Sequence, residues 1–240
     1  MEGDFKGKME FQYIKAVVFD FDGTLAVLNI DFKSMREQIF GLMKDYGIKE
    51  SMVKERYLLE IIDEVYPILQ RKSPSDAASF YQKSHQVLQA VELNAAEQGR
   101  LLPGVEATLE VLRRRGMKIG IITRNCEDAV RKVFPNIDAY CDVFISRDST
   151  QKVKPHPDHL NSVLKTLGVS GEEAMMVGDH TIDIQAGKKV GMKTSGVLTG
   201  RITEGEFVQV GADYILRDVS ELCLLFEKGE LNREKSDPDG

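Results

Sequence analysis

Apolar and polar positions follow two different periods along most of this chain. Short apolar runs bounded by turn residues predict strands at 16–19, 118–122, 142–145, 174–177, 193–198 and 213–216. Amphipathic segments between them predict helices at 105–115, 127–134, 157–167, 182–190 and 219–226. Strands that alternate with helices form parallel sheets through crossover connections. The predicted fold class is therefore α/β, with a doubly wound, Rossmann-like parallel sheet.

One long segment, from about 31 to 98, interrupts this alternation and has helical apolar spacing throughout. The segment is too long for a single crossover helix, so it predicts a helical domain inserted into the α/β core. We expect four parts: an N-terminal extension at 1–12, a core formed by 13–25 and 101–226, a helical cap at 26–100, and a charged mobile tail at 227–240.

Composition narrows the class of protein. Of the 240 residues, 42% are hydrophobic and 29% charged, which indicates a folded globular chain. No apolar run reaches the length of a membrane span, and the acidic start is not typical of a signal peptide, so we expect a cytoplasmic protein without a membrane partner. The net charge of −6 disfavours a nucleic-acid polymer as partner. Cys126, Cys141 and Cys223 are far apart and are expected to be reduced core thiols.

Chemically active residues follow the predicted strands, where ligands bind to open parallel sheets. Four stretches carry them: Asp20-Phe-Asp22-Gly23-Thr24, Thr123-Arg124-Asn125, Lys154 ahead of the 157–167 helix, and Gly178-Asp179 with Asp183. A purely structural explanation would have to account for four carboxylates gathered at one edge. Their convergence with a threonine and a lysine therefore indicates a catalytic site.

The first stretch contains a candidate nucleophile. Asp20 closes a buried strand and can attack phosphorus in line to form an aspartyl-phosphate. Asp22 points to the same side if the strand stays extended, where it can act as general acid and base. Gly23 allows a sharp turn toward the phosphate, and the Thr24 hydroxyl can fix the loop.

A metal ion is expected at the same place. Asp20, Asp179 and Asp183 bring three negative charges to a site for an anion, which is costly without a cation. Oxygen ligands with spare positions for water favour Mg²⁺.

The four stretches, in this order, resemble the motifs of the haloacid dehalogenase-like hydrolase superfamily over residues 14 to about 226. The segment 178–192 is similar to the phosphoglycolate-phosphatase-like branch, which carries a helical cap after the first motif. The resemblance implies that an Asp20 oxygen, the Asp22 backbone carbonyl and the Asp179 carboxylate bind Mg²⁺, with Asp183 acting through a water or through Lys154. It also implies a phosphate site formed by Thr123, the amides of Arg124 and Asn125, the following helix N-terminus and Lys154.

Some residues depart from the pattern or allow two interpretations. Many relatives have Asn directly after the second-motif Thr, whereas Arg124 stands here and faces either solvent or substrate. His156 and His159 are three residues apart, but flanking prolines and the lack of a third ligand disfavour zinc. His180 either lines the pocket or lies in a surface loop.

Within the superfamily, Asp22 disfavours a dehalogenase and a phosphonatase. The expected function is a phosphomonoester hydrolase, similar to phosphoglycolate phosphatase, that acts on a small phosphorylated metabolite. Two alternative functions stay open: a sugar phosphomutase and a catalytically silent phosphate-binding module. The sequence does not predict the oligomeric state.

Overall fold

The computed structural model describes the backbone of residues 13–230 and the side chains of residues 13–226. Within this range the elements are β1 (Ala16–Phe19), β2 (Ala26–Val27), α1 (Phe32–Asp45), α2 (Leu58–Gln70), α3 (Pro74–Ala96), β3 (Arg100–Leu101), α4 (Val105–Arg114), β4 (Lys118–Ile122), α5 (Glu127–Val133), β5 (Val143–Ile145), α6 (Pro157–Leu167), β6 (Ala174–Gly178), α7 (Thr181–Lys189), β7 (Lys193–Val197), α8 (Glu204–Gln209), β8 (Tyr214–Leu216) and α9 (Glu221–Glu230).

Six of these strands form a parallel sheet in the order β5-β4-β1-β6-β7-β8. The predicted α/β class with a helical insertion is confirmed. All four residues of β1 are buried, and the strand lies between β4 and β6. Because parallel neighbours end at the same edge, the residues after β1, β4 and β6 are brought together there.

Helices α6 and α7 pack on one face of this sheet over a buried apolar cluster. The cluster joins Val18 of β1 and Met176 of β6 to Val163 of α6 and Ala186 of α7. Gly120 of β4 permits this close packing, since a Cβ there would lie 2.7 Å from a Val163 methyl. The sheet edge that carries the polar motifs therefore rests on a rigid apolar support.

Residues 29–98 form a compact unit of their own, made of α1, α2 and α3. The prediction of helix throughout 31–98 was wrong between α1 and α2. The first helix ends just before Gly47, which adopts a left-handed backbone with φ of 71°, and the chain then runs through a short 3₁₀ turn, Glu50–Met52. Helix α3 restarts at Pro74 with Ser73 as its N-cap.

The two ends of the segment predicted as the helical cap form a short strand pair. β2 and β3 pair antiparallel, with Ala26 opposite Leu101 and Val27 opposite Arg100. Both strands have only two residues, too few for a visible period of two. Helix α8 was also missed, although Thr203 and Glu206 form the capping box that marks such a start.

Some further expectations concern the chain ends and the cysteines. Helix α9 continues to Glu230, so the first four residues of the predicted tail are helical. The N-terminal extension at 1–12 and the rest of the tail lie outside the described residues.

Cys126 and Cys141 are buried cysteines outside any disulfide, whereas Cys223 is half-buried. No helix between residues 13 and 230 is both long and apolar enough to cross a membrane.

The packing of α8 on the sheet is tested by two glycine substitutions. A Cβ at Gly196 of β7 would lie 2.6 Å from the buried Phe207 ring, whereas one at Gly205 of α8 meets nothing within 4 Å. We expect Gly196→Ala to lower the free energy of unfolding by about 1–3 kcal/mol. Gly205→Ala should leave it unchanged or raise it by up to ~1 kcal/mol, because alanine favours helix. Urea unfolding measures both, and equal effects would contradict this packing.

Candidate active site

Three carboxylates from two neighbouring strand ends and one helix meet at the edge of the sheet. Asp20 follows β1, Asp179 follows β6, and Asp183 lies in the first turn of α7. The register that pairs Phe19 with Val177 places the first two side by side, and the Asp20 amide donates to the Val177 carbonyl at 2.9 Å. One oxygen from each of the three lies within 4.8 Å of the others. The predicted convergence of these groups is thus observed.

Lys154 is buried among these acids, with 1% of its surface exposed. Its Nζ donates to Asp20 Oδ1 at 2.5 Å and to Asp183 Oδ1 at 2.7 Å. The other oxygen of Asp183 accepts the His180 amide at 3.1 Å. Both oxygens of Asp183 therefore have protein partners, which suits a residue that orients the lysine more than one that coordinates a metal directly.

Asp179 is enclosed by glycines. A Cβ at Gly23, whose φ is 88°, or at Gly200 would overlap its carboxylate. Thr24 donates a long hydrogen bond to Asp179 Oδ1 at 3.4 Å, and Thr199 donates to the Gly23 carbonyl at 2.5 Å. Sequence reasoning missed Thr199 and Gly200, although they follow β7 and the rule of inspecting strand ends would have found them.

Asp22 lies in a tight turn and not in an extended strand. β1 ends at Phe19, and the Phe21 carbonyl accepts the amides of Leu25 and Ala26. The Asp22 carboxylate accepts the Leu28 amide at 2.9 Å. It lies outside the group of three carboxylates but is close enough for its charge to act on Asp179. The condition of an extended strand, on which the expected direction of the Asp22 carboxylate depended, is therefore not met.

The second motif folds back on itself at the end of β4. The Thr123 hydroxyl donates to Asn125 Oδ1 at 2.8 Å and accepts the Asn125 amide at 3.1 Å. The Arg124 guanidinium donates to the Lys154 carbonyl, so it braces the third motif. At the start of α5 the Glu127 amide already bonds to the Asp148 carboxylate at 2.8 Å. The resemblance placed the N-terminus of this helix in the phosphate site. Its Glu127 amide is bound to the carboxylate of Asp148 instead.

The three histidines of these motifs have structural hydrogen bonds. His156 and His180 are the N-caps of α6 and α7, where their Nδ1 atoms accept the Asp158 and Ile182 amides, both at 3.2 Å. His159 is fully buried, and both of its ring nitrogens lie near backbone groups.

Burial and mutual repulsion disturb the titration of the acids. Removal from water raises the pKa of Asp20 to about 7, with Lys154 opposing and Asp183 adding to the rise. The pKa of Asp179 rises to about 9 through the same removal from water and then the charges of Asp20 and Asp183. Burial acts to lower the pKa of Lys154, but Asp183 and Asp20 outweigh it and keep the lysine charged.

A divalent cation fits this set of residues. Three carboxylates and one ammonium leave two negative charges in a buried space, and a divalent cation would neutralise them. The oxygens are hard ligands of the kind that Mg²⁺ prefers. Burial and mutual repulsion raise the pKa values of Asp20 and Asp179, which agrees with negative charge that Lys154 alone does not compensate.

The doubly wound core, its helical insertion and the motifs at one sheet edge define an α/β enzyme of the hydrolase type. Residues 17–197 match the profile of the haloacid dehalogenase-like hydrolase family. A Clostridium perfringens protein, named as a candidate pyrophosphatase PpaX, is 30% identical over 217 residues, which cover 90% of this chain and 98% of that protein. The chain belongs to the haloacid dehalogenase-like hydrolase family and lies among its phosphatases.

Other comparisons agree with this assignment. The phosphoglycolate phosphatase of Aquifex aeolicus is 26% identical, covering 89% of this chain and 97% of that protein. A Haemophilus somnus 129pt crystal structure, described as a predicted phosphoglycolate phosphatase, has a TM-score of 0.61 at 20% identity and covers 89% of this chain and 98% of its own. A candidate beta-phosphoglucomutase structure from Thermotoga maritima has a TM-score of 0.56 at 21% identity, covering 90% and 99%. These two structures support the fold alone.

The raised pKa values predict a pH-dependent stability that Mg²⁺ removes. Asp20 and Asp179 hold protons in the folded state that they release on unfolding, above their ordinary value of 3.8. Stability is therefore lost as pH rises from about 4 to about 9. In EDTA we expect the melting temperature to fall by a few degrees between about pH 7 and 8.5, and to be restored by Mg²⁺.

Asp179→Asn is the matched variant for this measurement. It removes a group whose ionisation on unfolding favours the unfolded state, so in EDTA at about pH 8.5 it should melt a few degrees above the wild type and gain less from Mg²⁺. A wild type with a flat pH profile in EDTA, together with an unchanged melting temperature for the variant, would contradict the assigned repulsion.

Proposed function

We propose that this protein is a Mg²⁺-dependent phosphomonoester hydrolase that acts on a small organic phosphate through an aspartyl-phosphate on Asp20. The observation that carries the proposal is the buried Asp20 carboxylate, bonded to Lys154 at 2.5 Å beside Asp179 and Asp183. An acid at this point, with a fixed cation on one side, is arranged for attack on an anionic phosphoryl group.

Asp20, Asp22 and Lys154 each have a role in forming and hydrolysing the aspartyl-phosphate. Asp20 forms a bond to phosphorus while the bond from phosphorus to the leaving oxygen breaks, and Asp22 gives that oxygen a proton. Asp22 then takes a proton from water, which attacks phosphorus and releases inorganic phosphate from Asp20. Lys154 holds Asp20 in place and shares the charge of the phosphoryl oxygens. Thr123 and Thr24 complete the phosphate site.

Asp20, the Asp22 carbonyl and Asp179 would hold Mg²⁺, with Asp183 orienting Lys154. When bound, the ion would neutralise the acids and the developing charge of the phosphoryl group. This cluster is fully assembled in the core unit, which favours an active enzyme over a silent module.

The relatives suggest where to look for substrates. One carries the name of a pyrophosphatase and another that of a phosphoglycolate phosphatase. A first panel therefore contains an aryl phosphate, phosphoglycolate and inorganic pyrophosphate. A hexose phosphate with and without a bisphosphate primer tests for a mutase, and turnover confined to that pair would replace hydrolysis with phosphoryl transfer.

Replacing the nucleophile is the central test. We expect Asp20→Asn to lower kcat by at least about 10³-fold on every substrate, because no bond to phosphorus can form. Asp158→Asn, which changes an exposed carboxylate in the first turn of α6, should retain the wild-type rate. EDTA should abolish turnover. Turnover in Asp20→Asn above about 10⁻³ of the wild-type kcat, or turnover that survives EDTA, would refute the proposed route.

Replacing the general acid should depend on the leaving group. An aryl oxide leaves readily without a proton, whereas the oxygen of phosphoglycolate needs one. Asp22→Asn should therefore slow formation of the phosphoenzyme by roughly 10²–10⁴-fold for phosphoglycolate and much less for the aryl phosphate. Rapid-quench trapping of the acyl phosphate with hydroxylamine measures this step. An equal loss for the two substrates would exclude Asp22 as the acid.

A further inference from the structure

The backbone of Lys154 is held by side chains on both sides. Its amide donates to His159 Nδ1 at 3.2 Å, and its carbonyl accepts from Arg124. Lys154 lies in a loop between the short 3₁₀ turn Arg147–Ser149 and helix α6, so no regular element supports it. A lysine side chain has many rotamers, and two bonds at its tip fix its position only if its Cα is fixed as well.

His159 has one possible protonation pattern in this arrangement. Since Nδ1 accepts the Lys154 amide, the proton is on Nε2, which lies 3.3 Å from the Ile145 carbonyl and donates to it. The same carbonyl accepts the Thr123 amide at 3.2 Å. His159 therefore links the end of β5, where the second motif is anchored, to the lysine of the third. Removal from water, then the charge of Lys154, lowers its pKa to about 3 and keeps it neutral.

We propose that neutral His159 is a positioning residue, which places the Lys154 ammonium on Asp20 and Asp183 by accepting the Lys154 backbone amide. This inference rests on the proposed function, in which Lys154 orients the nucleophile. The ammonium must satisfy two acids at 2.5 and 2.7 Å, and a shift of the loop by a fraction of an ångström would break that geometry. Misplacement of about 1 Å in an active site can cost roughly 10²-fold in rate.

Two amide variants separate the two hydrogen bonds of His159. In His159→Asn the side-chain oxygen stands near the Nδ1 position and can accept the Lys154 amide, but it loses the hydrogen bond to the Ile145 carbonyl, which keeps only the Thr123 amide. In His159→Gln the amide nitrogen reaches the Nε2 position and can donate to Ile145, but it leaves the Lys154 amide unpaired. Each variant loses one of the two hydrogen bonds of His159, so with a purely structural histidine the rate would fall only as far as the melting temperature falls.

We expect His159→Gln to lower kcat by roughly 10–100-fold and His159→Asn to stay within about threefold of the wild type, at similar melting temperatures. His156→Asn, which changes the partly exposed neighbouring histidine, is the control and should keep its rate. Equal losses in the two His159 variants, or a rate that follows the melting temperature, would overturn the proposal.

A measurement on the wild type keeps the inference testable if the variants fold poorly or if no substrate is turned over. NMR of deuterated, ¹⁵N-labelled protein should show an Nε2-protonated ring and a coupling across the hydrogen bond between His159 Nδ1 and the Lys154 amide nitrogen. A proton on Nδ1 would refute the positioning role. A wild type that shows the coupling but hydrolyses no phosphate would refute only the proposed function.

Discussion

Repulsion between carboxylates is the constraint on which the site depends. Asp20, Asp179 and Asp183 lie within a few ångströms of one another where water is largely excluded, and one buried lysine compensates only part of their charge. An isolated cluster of this kind would disperse or protonate. The fold prevents dispersal, because two adjacent strand ends and a helix start are fixed by the apolar core beneath them. Because negative charge remains after pairing with the lysine, the site favours binding of a cation.

The loops around the cluster show how closely backbone must approach it. Glycine at positions 23 and 200 lets two chain segments press against Asp179, and Gly178 does the same beside Asp183. Side chains at these places would occupy the space of the carboxylates. Hydrogen bonds then tie the loops together, with Thr199 on the Gly23 carbonyl and Arg124 on that of Lys154. The acids are thus enclosed by backbone held in place from outside.

Much of this could be predicted from residue order. The six sheet strands, the inserted helices and the convergence of Asp20, Lys154, Asp179 and Asp183 follow from apolar periods and from the geometry of parallel sheets. The β2–β3 pair could not be predicted, because two-residue strands have no period. The turn at Asp22 and the hydrogen bond between Lys154 and His159 join residues only six and five positions apart, but each involves an irregular loop that has neither the period of a strand nor that of a helix. The roles assigned to the site residues remain predictions.

The short strand pair has a consequence for the history of the chain. Val27 and Arg100 are neighbours in an antiparallel ladder, so the whole helical segment is the loop of a hairpin that belongs to the core. The entropy of closing a loop grows only with the logarithm of its length. Insertions, deletions and exchange of that segment can therefore accumulate during evolution at little cost to the hairpin, while the carboxylates stay where the sheet holds them.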